Sequence, residues 1–276
     1  MKRPLISICI PTYNRSKILK SVLQQYIQNQ EFDDEIEIVI SDNASTDDTE
    51  KVCREICSLC DRIRYFRNTE NIIDLNFIKV LDYAEGDYLK LYNDWAYCTE
   101  ESLRFMKATV KMHLEDRRPI FFTSKSLFTN ISDDVIECNS LNEYVRSVST
   151  MITSTVIFGV WREQWSKVAH KDMYLDYRLL QVDWSYQIVA NRQGCVLYNQ
   201  KTFELAKVPL GVRKGYNWFS IHLDGYYQIM RPYIENGTIS AEVYNEDKKN
   251  LLRHFKQEFG YALIYNYSKF SEIKYN

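Results

Sequence analysis

The chain has 276 residues, of which 45% are hydrophobic and 26% are charged, the composition of an ordinary globular protein with enough residues for a sizeable core. Its formal net charge of −2 lacks the strong basic excess of proteins that bind nucleic-acid backbones, so no nucleic-acid partner is expected. These bounds favour small-molecule chemistry.

The amino-terminal segment predicts a strand rather than a signal peptide. The apolar run at residues 5–10 is too short for a signal peptide, and no stretch of the chain approaches the roughly 20 apolar residues of a membrane-spanning helix. The seven cysteines are an odd number in a chain that does not need disulfide staples, so reduced thiols are expected. These observations predict a cytoplasmic protein.

Strands and helices are predicted to alternate through the first ninety or so residues. Apolar runs predict strands at residues 5–10, 35–40, 63–66 and 88–92. Helical spacing of apolar residues predicts a helix at 18–27, an acidic turn at Asp47 and Asp48 begins a second helix, and Gly86 ends a third at 74–85. This alternation is typical of a parallel sheet with crossover helices.

Polar side chains follow each of these strands. They are Thr12, Tyr13, Asn14 and Arg15 after the first strand, Asp42, Asn43 and Ser45 after the second, Arg67 and Asn68 after the third, and Asn93 and Asp94 after the fourth. Parallel sheets bind ligands at the carboxyl ends of their strands. We therefore expect the four clusters to converge on one crevice.

Two motifs in this region resemble those of the inverting family 2 glycosyltransferases. Residues 8–15, ICIPTYNR, are similar to the family's opening strand and its Pro-x-Tyr-Asn turn, and residues 38–49 are similar to its second strand and Asp-x-x-Ser-x-Asp-x-Thr segment. The resemblance extends over roughly residues 4–105. It implies a glycosyltransferase A-type fold, which is a Rossmann-like, mixed, mostly parallel sheet flanked by helices that binds a nucleotide-diphosphate-sugar.

The resemblance also implies a set of nucleotide-binding residues. These are Pro11, Thr12, Tyr13, Asn14, Asp42, Arg67, Asn93 and Asp94. Asp42 would hold the base, because a carboxylate can accept a hydrogen bond from a pyrimidine imide N–H and such a buried pairing discriminates strongly. The alternative is a turn-forming aspartate that bonds its own backbone.

The turn after the fourth strand departs from the family. The family places two or three aspartates there for a metal, whereas this chain has Asn93, Asp94, Trp95 and Ala96. Mg²⁺ binds through as few as one or two carboxylates together with substrate phosphates, so we expect Asp94 alone to hold Mg²⁺ or Mn²⁺ weakly. The alternatives are a metal-free enzyme that neutralises the diphosphate with basic side chains such as Arg213 or Lys214, and a protein that has lost catalysis.

The resemblance points to Asp183 as the general base that deprotonates the acceptor hydroxyl. In the family this base is the aspartate of a Glu-Asp pair about eleven residues before a glycine and a short strand. Asp183 has that spacing from Gly194 and residues 195–198, although Val182 replaces the glutamate. Competing candidates are Asp172, Asp176, His170 and His222.

The second half of the chain matches less well. Residues 153–160 resemble the strand that follows the family's acceptor-binding region, and residues 240–267 predict a helix that packs on the main domain or pairs with a second copy. We divide the chain into a catalytic domain at 1–205, with a nucleotide-binding half at 1–100 and an acceptor half at 101–205, and a mainly helical extension at 206–276. Basic and aromatic residues of the extension are compatible with peripheral membrane contact.

Together these features predict an inverting transferase that moves a sugar from a nucleotide-diphosphate-sugar donor to a hydroxyl of a saccharide or lipid-linked saccharide. The expected setting is bacterial surface-polysaccharide assembly, in the cytoplasm or at the inner face of the membrane, and a homodimer is compatible with it. One alternative is a catalytically silent homologue that binds sugar nucleotides or acts as a scaffold. A nucleotidyltransferase is disfavoured, because no Gly-rich phosphate loop with a lysine follows the first strand.

Overall fold

The computed structural model describes residues 3–125, 131, 133–206 and 224–265 of the chain. The strands are β1 (Ile6–Thr12), β2 (Ile36–Asp42), β3 (Ile63–Arg67), β4 (Tyr88–Leu91), β5 (Ala96–Tyr97), β6 (Ile120–Phe122), β7 (Val135–Cys138), β8 (Gly159–Trp161), β9 (Cys195–Tyr198) and β10 (Glu204–Leu205). The helices are α1 (Ser16–Gln28), α2 (Thr49–Cys57), α3 (Leu75–Asp82), α4 (Glu100–Met112), α5 (Leu141–Val148), α6 (Arg162–Trp165), α7 (Leu180–Arg192), α8 (Tyr226–Glu235) and α9 (Ala241–Tyr265).

The central sheet has the strand order β3-β2-β1-β4-β8, in which the first four strands are parallel and β8 is antiparallel to β4. The prediction of a mixed, mostly parallel sheet with crossover helices is therefore confirmed. Strand β1 runs two residues past its predicted end at Ile10. Proline has no backbone N–H to donate to a neighbouring strand. Pro11 fits in β1 because its backbone faces β4, and the pairing of β1 with β4 has already ended at Cys9.

Alternate residues of the central strands face two separate hydrophobic clusters, one on each side of the sheet. Ile8 and Ile38 pack with apolar residues of α1, α2 and α4, whereas Cys9 and Val39 pack with those of α3, α5 and α7. Burial on both faces explains why these strands read as continuous apolar runs rather than as an alternating pattern.

The carboxy-terminal helices pack against the second of these clusters. Tyr226, Ile229 and Met230 of α8 and Val243 of α9 are buried in the same cluster as apolar residues of α5 and α7. Of the two arrangements left open for the last helix, packing on the main domain is the one observed. The boundary near residue 205 stays a prediction. In the part of the chain that the structure describes, no helix is both long and apolar enough to span a bilayer.

The segment at 153–160, predicted as a strand, is largely not one. Short 3₁₀ helices occupy Ser149–Thr153 and Thr155–Ile157, and the strand β8 begins only at Gly159. The buried ammonium of Lys90 on β4 donates hydrogen bonds to the carbonyl oxygens of Val156 and Phe158, the latter at 3.2 Å. A distant lysine thus contacts both carbonyl oxygens, and that of Phe158 also accepts a hydrogen bond from the backbone N–H of Leu91 on β4.

We predict that Lys90 makes stability depend on pH. Burial lowers the pKa of Lys90 to about 7, against about 10.4 for an unfolded lysine, so above pH 7 the unfolded chain binds a proton that the native protein has released. Stability attributable to this group therefore increases as the pH rises. Relative to Lys90→Met, the free energy of unfolding of the wild type should rise by roughly 2 kcal/mol between pH 7 and pH 9, measured by denaturant titration.

The control for this prediction is Lys107→Met. Lys107 pairs with Glu31 and Asp33, and despite some desolvation these partners raise its pKa, so it stays protonated in both states over this range. The stability difference between wild type and Lys107→Met should be the same at both pH values. If the difference in free energy of unfolding between wild type and Lys90→Met is also the same at pH 7 and pH 9, the lowered pKa of Lys90 is contradicted.

Candidate active site

The carboxyl ends of β1, β2 and β3 bring three predicted site residues side by side. Thr12, Asp42 and Arg67 are in register across the sheet. The turn after β4 joins them, because the Thr12 hydroxyl donates a hydrogen bond to Asp94 Oδ2 at 2.8 Å. All four strand-end clusters therefore contribute to one site, as the order of elements predicts.

Asp42 is completely buried and organises the centre of this site. Its Oδ1 accepts a hydrogen bond from the backbone N–H of Ser45 at 2.9 Å, and its Oδ2 accepts one from the Tyr65 hydroxyl at 2.6 Å. Arg67 Nε lies 3.7 Å from Oδ2, and the Arg67 guanidinium also donates to the Ser45 carbonyl oxygen. The bond from the Ser45 N–H is the contact expected of a turn-forming aspartate. A contact between Asp42 and the nucleotide base stays a prediction.

The turn after β1 is fixed to the loop after β2. Asn14 has a left-handed backbone with φ of 53°, its N–H donates to the Ser45 hydroxyl at 2.8 Å, and its side-chain carbonyl accepts from the Thr46 N–H at 2.7 Å. Asparagine tolerates this conformation better than most residues. Pro11, near the end of β1, is half-buried, and Tyr13 in the turn is 42% exposed, open to a ligand.

Asp94 is the candidate metal or ribose ligand, and its carboxyl is only 5% exposed. Oδ1 is buried and has no hydrogen-bond partner within the described part of the chain. Burial raises the pKa of Asp94 to about 6, against the opposing effects of the Thr12 hydrogen bond and the Arg15 guanidinium. A buried carboxylate oxygen without a donor fits a ligand that supplies one, such as a ribose hydroxyl, or a cation.

The protein side chains at this turn could hold a divalent cation only if the substrate supplied further ligands. Among residues 3–125, 131, 133–206 and 224–265, no three His, Cys, Asp or Glu side chains are grouped as a metal site would need. Asp94 and the phosphates of a bound donor would therefore have to share the coordination. Asn93 does not add to it in this arrangement, since its side-chain oxygen accepts from the Thr155 hydroxyl at 2.7 Å.

Trp95 occupies the position of the family's next aspartate, and its ring lies beside Arg15. The Arg15 guanidinium carbon is 5.8 Å from the centroid of the Trp95 ring, within the range of a cation–π contact. The residue that replaces an acid at this turn is thus one that stabilises a cation.

Asp183 lies in the first turn of α7, three residues inside a helix that begins at Leu180. It is only 5% exposed, its Oδ1 accepts from the Tyr233 hydroxyl at 2.7 Å, and its Oδ2 accepts from Gln187 Nε2 at 2.7 Å. Burial raises the pKa of Asp183, while Tyr233, Gln187 and the charge of His170 act in the opposite direction. A buried carboxylate with a raised pKa suits a general base.

The other candidates for the general base are either exposed or outside the described residues. Asp172, Asp176 and His170 are exposed on the segment before α7. His222, like Arg213 and Lys214, lies outside the described residues.

The contacts of predicted site residues that the sequence analysis missed include Tyr65 to Asp42, Thr155 to Asn93, and Tyr233 to Asp183. Tyr65 had one usable signal, since it is two residues before Arg67 on the same strand and so shares its face. Thr155 and Tyr233 are 62 and 50 residues from their partners and had none.

Comparisons with known proteins find relatives of the amino-terminal half of the chain. Residues 7–108 match the sequence model of the family described as Glycosyl transferase family 2. The abequosyltransferase RfbV of Salmonella typhimurium is 36% identical over 125 residues, which are 44% of this chain and 36% of that protein. A GalNAc(5)-diNAcBac-PP-undecaprenol beta-1,3-glucosyltransferase of Campylobacter jejuni is 38% identical over 93 residues, which are 33% of this chain and 29% of that protein. The chain matches about a third of the length of these relatives.

Solved structures with low sequence identity share the fold. Staphylococcus aureus TarS has a TM-score of 0.61 at 16% identity, over 94% of this chain and 45% of that chain. The mannosyltransferase PcManGT of Pyrobaculum calidifontis, in complex with GDP-Man and Mn²⁺, has a TM-score of 0.59 at 14% identity, over 87% of this chain and 67% of that chain. The glycosyltransferase A-type fold implied by the resemblance is confirmed, and residues 7–108 of the chain are similar to glycosyl transferase family 2.

Proposed function

We propose that this protein is an inverting glycosyltransferase that moves a sugar from a nucleotide-diphosphate-sugar onto a hydroxyl of a saccharide or lipid-linked saccharide. The observation that carries the proposal is the joined strand-end site, where Thr12, Asp42 and Arg67 stand in register and Thr12 is bonded to Asp94. Such an edge suits a nucleotide, because it combines a buried acceptor for a hydroxyl or base N–H with a nearby guanidinium.

Asp183 would perform the proton transfer. As the acceptor hydroxyl attacks the anomeric carbon, its oxygen forms the new glycosidic bond, its proton passes to the Asp183 carboxylate, and the bond to the nucleotide diphosphate breaks on the opposite face. Attack opposite the leaving group inverts the anomeric configuration. The hydrogen bonds from Tyr233 and Gln187 hold the carboxylate in one orientation, and the acceptor hydroxyl would have to bind within hydrogen-bond reach of it.

A divalent cation, when bound, would neutralise charge on the departing diphosphate. Asp94 is the described residue that would hold it, together with oxygens of the donor itself. With one carboxylate the affinity for Mg²⁺ or Mn²⁺ should be low. The same carboxylate would accept a hydrogen bond from the ribose.

The relatives support the class of acceptor. The Campylobacter protein is named for a polyprenyl-diphosphate-linked saccharide, and the Salmonella protein is named as an abequosyltransferase. By analogy we place this chain in bacterial surface-polysaccharide assembly, at the cytoplasmic face of the membrane. Peripheral membrane contact and pairing with a second copy stay predictions.

The proposal is tested by incubating the protein with UDP-, GDP- and dTDP-sugars, with Mn²⁺, with Mg²⁺ or with EDTA, and following nucleotide release. Slow donor hydrolysis, accelerated by a saccharide acceptor, is the expected result. The silent homologue has one point in its favour, since Trp95 and Val182 replace two acids of the family pattern. It would be indicated by binding of a donor without turnover, whereas binding of none of the nucleotides would overturn the proposal.

A further inference from the structure

The turn after β4 holds a cation–π pair where the family pattern has acids. Trp95 and Arg15 come from different strand ends, since Arg15 lies in the turn between β1 and α1 and Trp95 in the turn that follows β4. The indole ring restricts the guanidinium, which is more weakly hydrated than an ammonium and therefore suited to a partly buried position. Arg15 is half-buried, and its backbone N–H donates to the Thr49 hydroxyl at 3.2 Å.

The guanidinium acts on the same turn as Asp94. Trp95, whose ring lies beside the Arg15 guanidinium, is the residue next to Asp94, so the positive charge is held at the same turn as this carboxylate. Replacing the family's second acid by Trp95 removes one negative charge, and stacking on Trp95 keeps one positive charge nearby. Both changes make the turn more favourable to an anion without a metal.

We propose that Arg15 binds the diphosphate of the nucleotide-sugar donor and supplies, at this turn, part of the positive charge that a cation held by several carboxylates would otherwise supply. This inference rests on the proposed function. An arginine fork can contact two phosphate oxygens at once, so it binds a diphosphate with a defined geometry. Arg15 would also stabilise the charge that develops as the diphosphate leaves.

The test is the binding of UDP, GDP and dTDP and of the corresponding monophosphates by calorimetry, in EDTA and in Mn²⁺. For the preferred nucleotide, Arg15→Gln should weaken diphosphate binding in EDTA by about 10- to 100-fold and monophosphate binding much less, while Arg15→Lys keeps part of the affinity. Trp95→Asp, which rebuilds a pair of adjacent acids, should make diphosphate binding depend more strongly on Mn²⁺ than in the wild type.

Arg62→Gln is the matched control. Arg62 also stacks on an aromatic ring, with its guanidinium carbon 4.9 Å from the centroid of Phe32, but it lies before β3, at the opposite edge of the sheet. This variant should bind nucleotides like the wild type, and thermal unfolding checks that each variant is folded. Diphosphate binding in EDTA that Arg15→Gln leaves unchanged, or wild-type binding that EDTA abolishes, would overturn the inference alone. A wild type that binds no nucleotide under any condition would overturn the proposed function as well.

Discussion

Replacing Asp183 by asparagine is expected to lower kcat for sugar transfer by about 10²- to 10⁴-fold while leaving donor binding intact. Asparagine has nearly the same shape, and its carbonyl oxygen can still accept the hydrogen bond from Tyr233. It cannot take the proton of the acceptor hydroxyl, so the chemical step fails without loss of the fold. Single-turnover transfer assays and donor binding by calorimetry separate these two effects.

The pH dependence provides a second measure of the same prediction. Asp183 acts as a base only when ionised, and its pKa is raised, so kcat/KM should fall as the pH decreases through that raised pKa. Tyr233→Phe removes a hydrogen bond that stabilises the ionised carboxylate. This variant should move the acidic limb of the profile to higher pH.

Asp172→Asn and Asp176→Asn are the controls for Asp183→Asn. Both side chains are exposed on the segment before α7, and they are the acids that competed with Asp183 in the sequence. Their variants should transfer sugar at close to the wild-type rate. If Asp183→Asn keeps full activity, or if one of the exposed variants loses it, another residue is the base.

The nucleotide-binding half could be predicted closely because its pattern is local. Continuous apolar runs show burial on both faces, and the carboxyl ends of parallel strands meet at one edge, so Thr12, Asp42 and Arg67 follow from the order of elements alone. The Thr12–Asp94 contact follows in the same way, since β4 lies beside β1.

The acceptor half could not be predicted to the same depth, because its contacts depend on tertiary packing. Most of the segment at 153–160 forms 3₁₀ turns, and the carbonyls of Val156 and Phe158 accept hydrogen bonds from Lys90, which is 66 and 68 residues away. Asp183 is held by Tyr233 from α8, a helix that the resemblance does not reach. The cation–π pair of Arg15 and Trp95 could not be predicted either, since each residue lies in a different turn and nothing in the sequence links the two.

Asp94→Asn is expected to weaken donor binding by about 10- to 100-fold, equivalent to roughly 1.4–2.7 kcal/mol. Asp94 presents a buried oxygen, Oδ1, without a hydrogen-bond partner among the described residues, and it accepts the Thr12 hydroxyl through Oδ2. An amide keeps the size of the side chain but removes the negative charge, so it binds a ribose hydroxyl less strongly and holds a cation poorly. Calorimetry with the donor, with and without Mn²⁺, measures the loss.

The matched control is Asp247→Asn. Asp247 on α9 is only 2% exposed, and burial raises its pKa to about 6, the same as for Asp94, but it accepts hydrogen bonds from Ser149 and Tyr227 away from the strand ends. Both substitutions remove a buried carboxylate of similar character, and only one of them lies at the proposed nucleotide site. Donor binding should therefore fall in Asp94→Asn alone, and an equal loss in both variants would mean that the effect arises from folding rather than from the site.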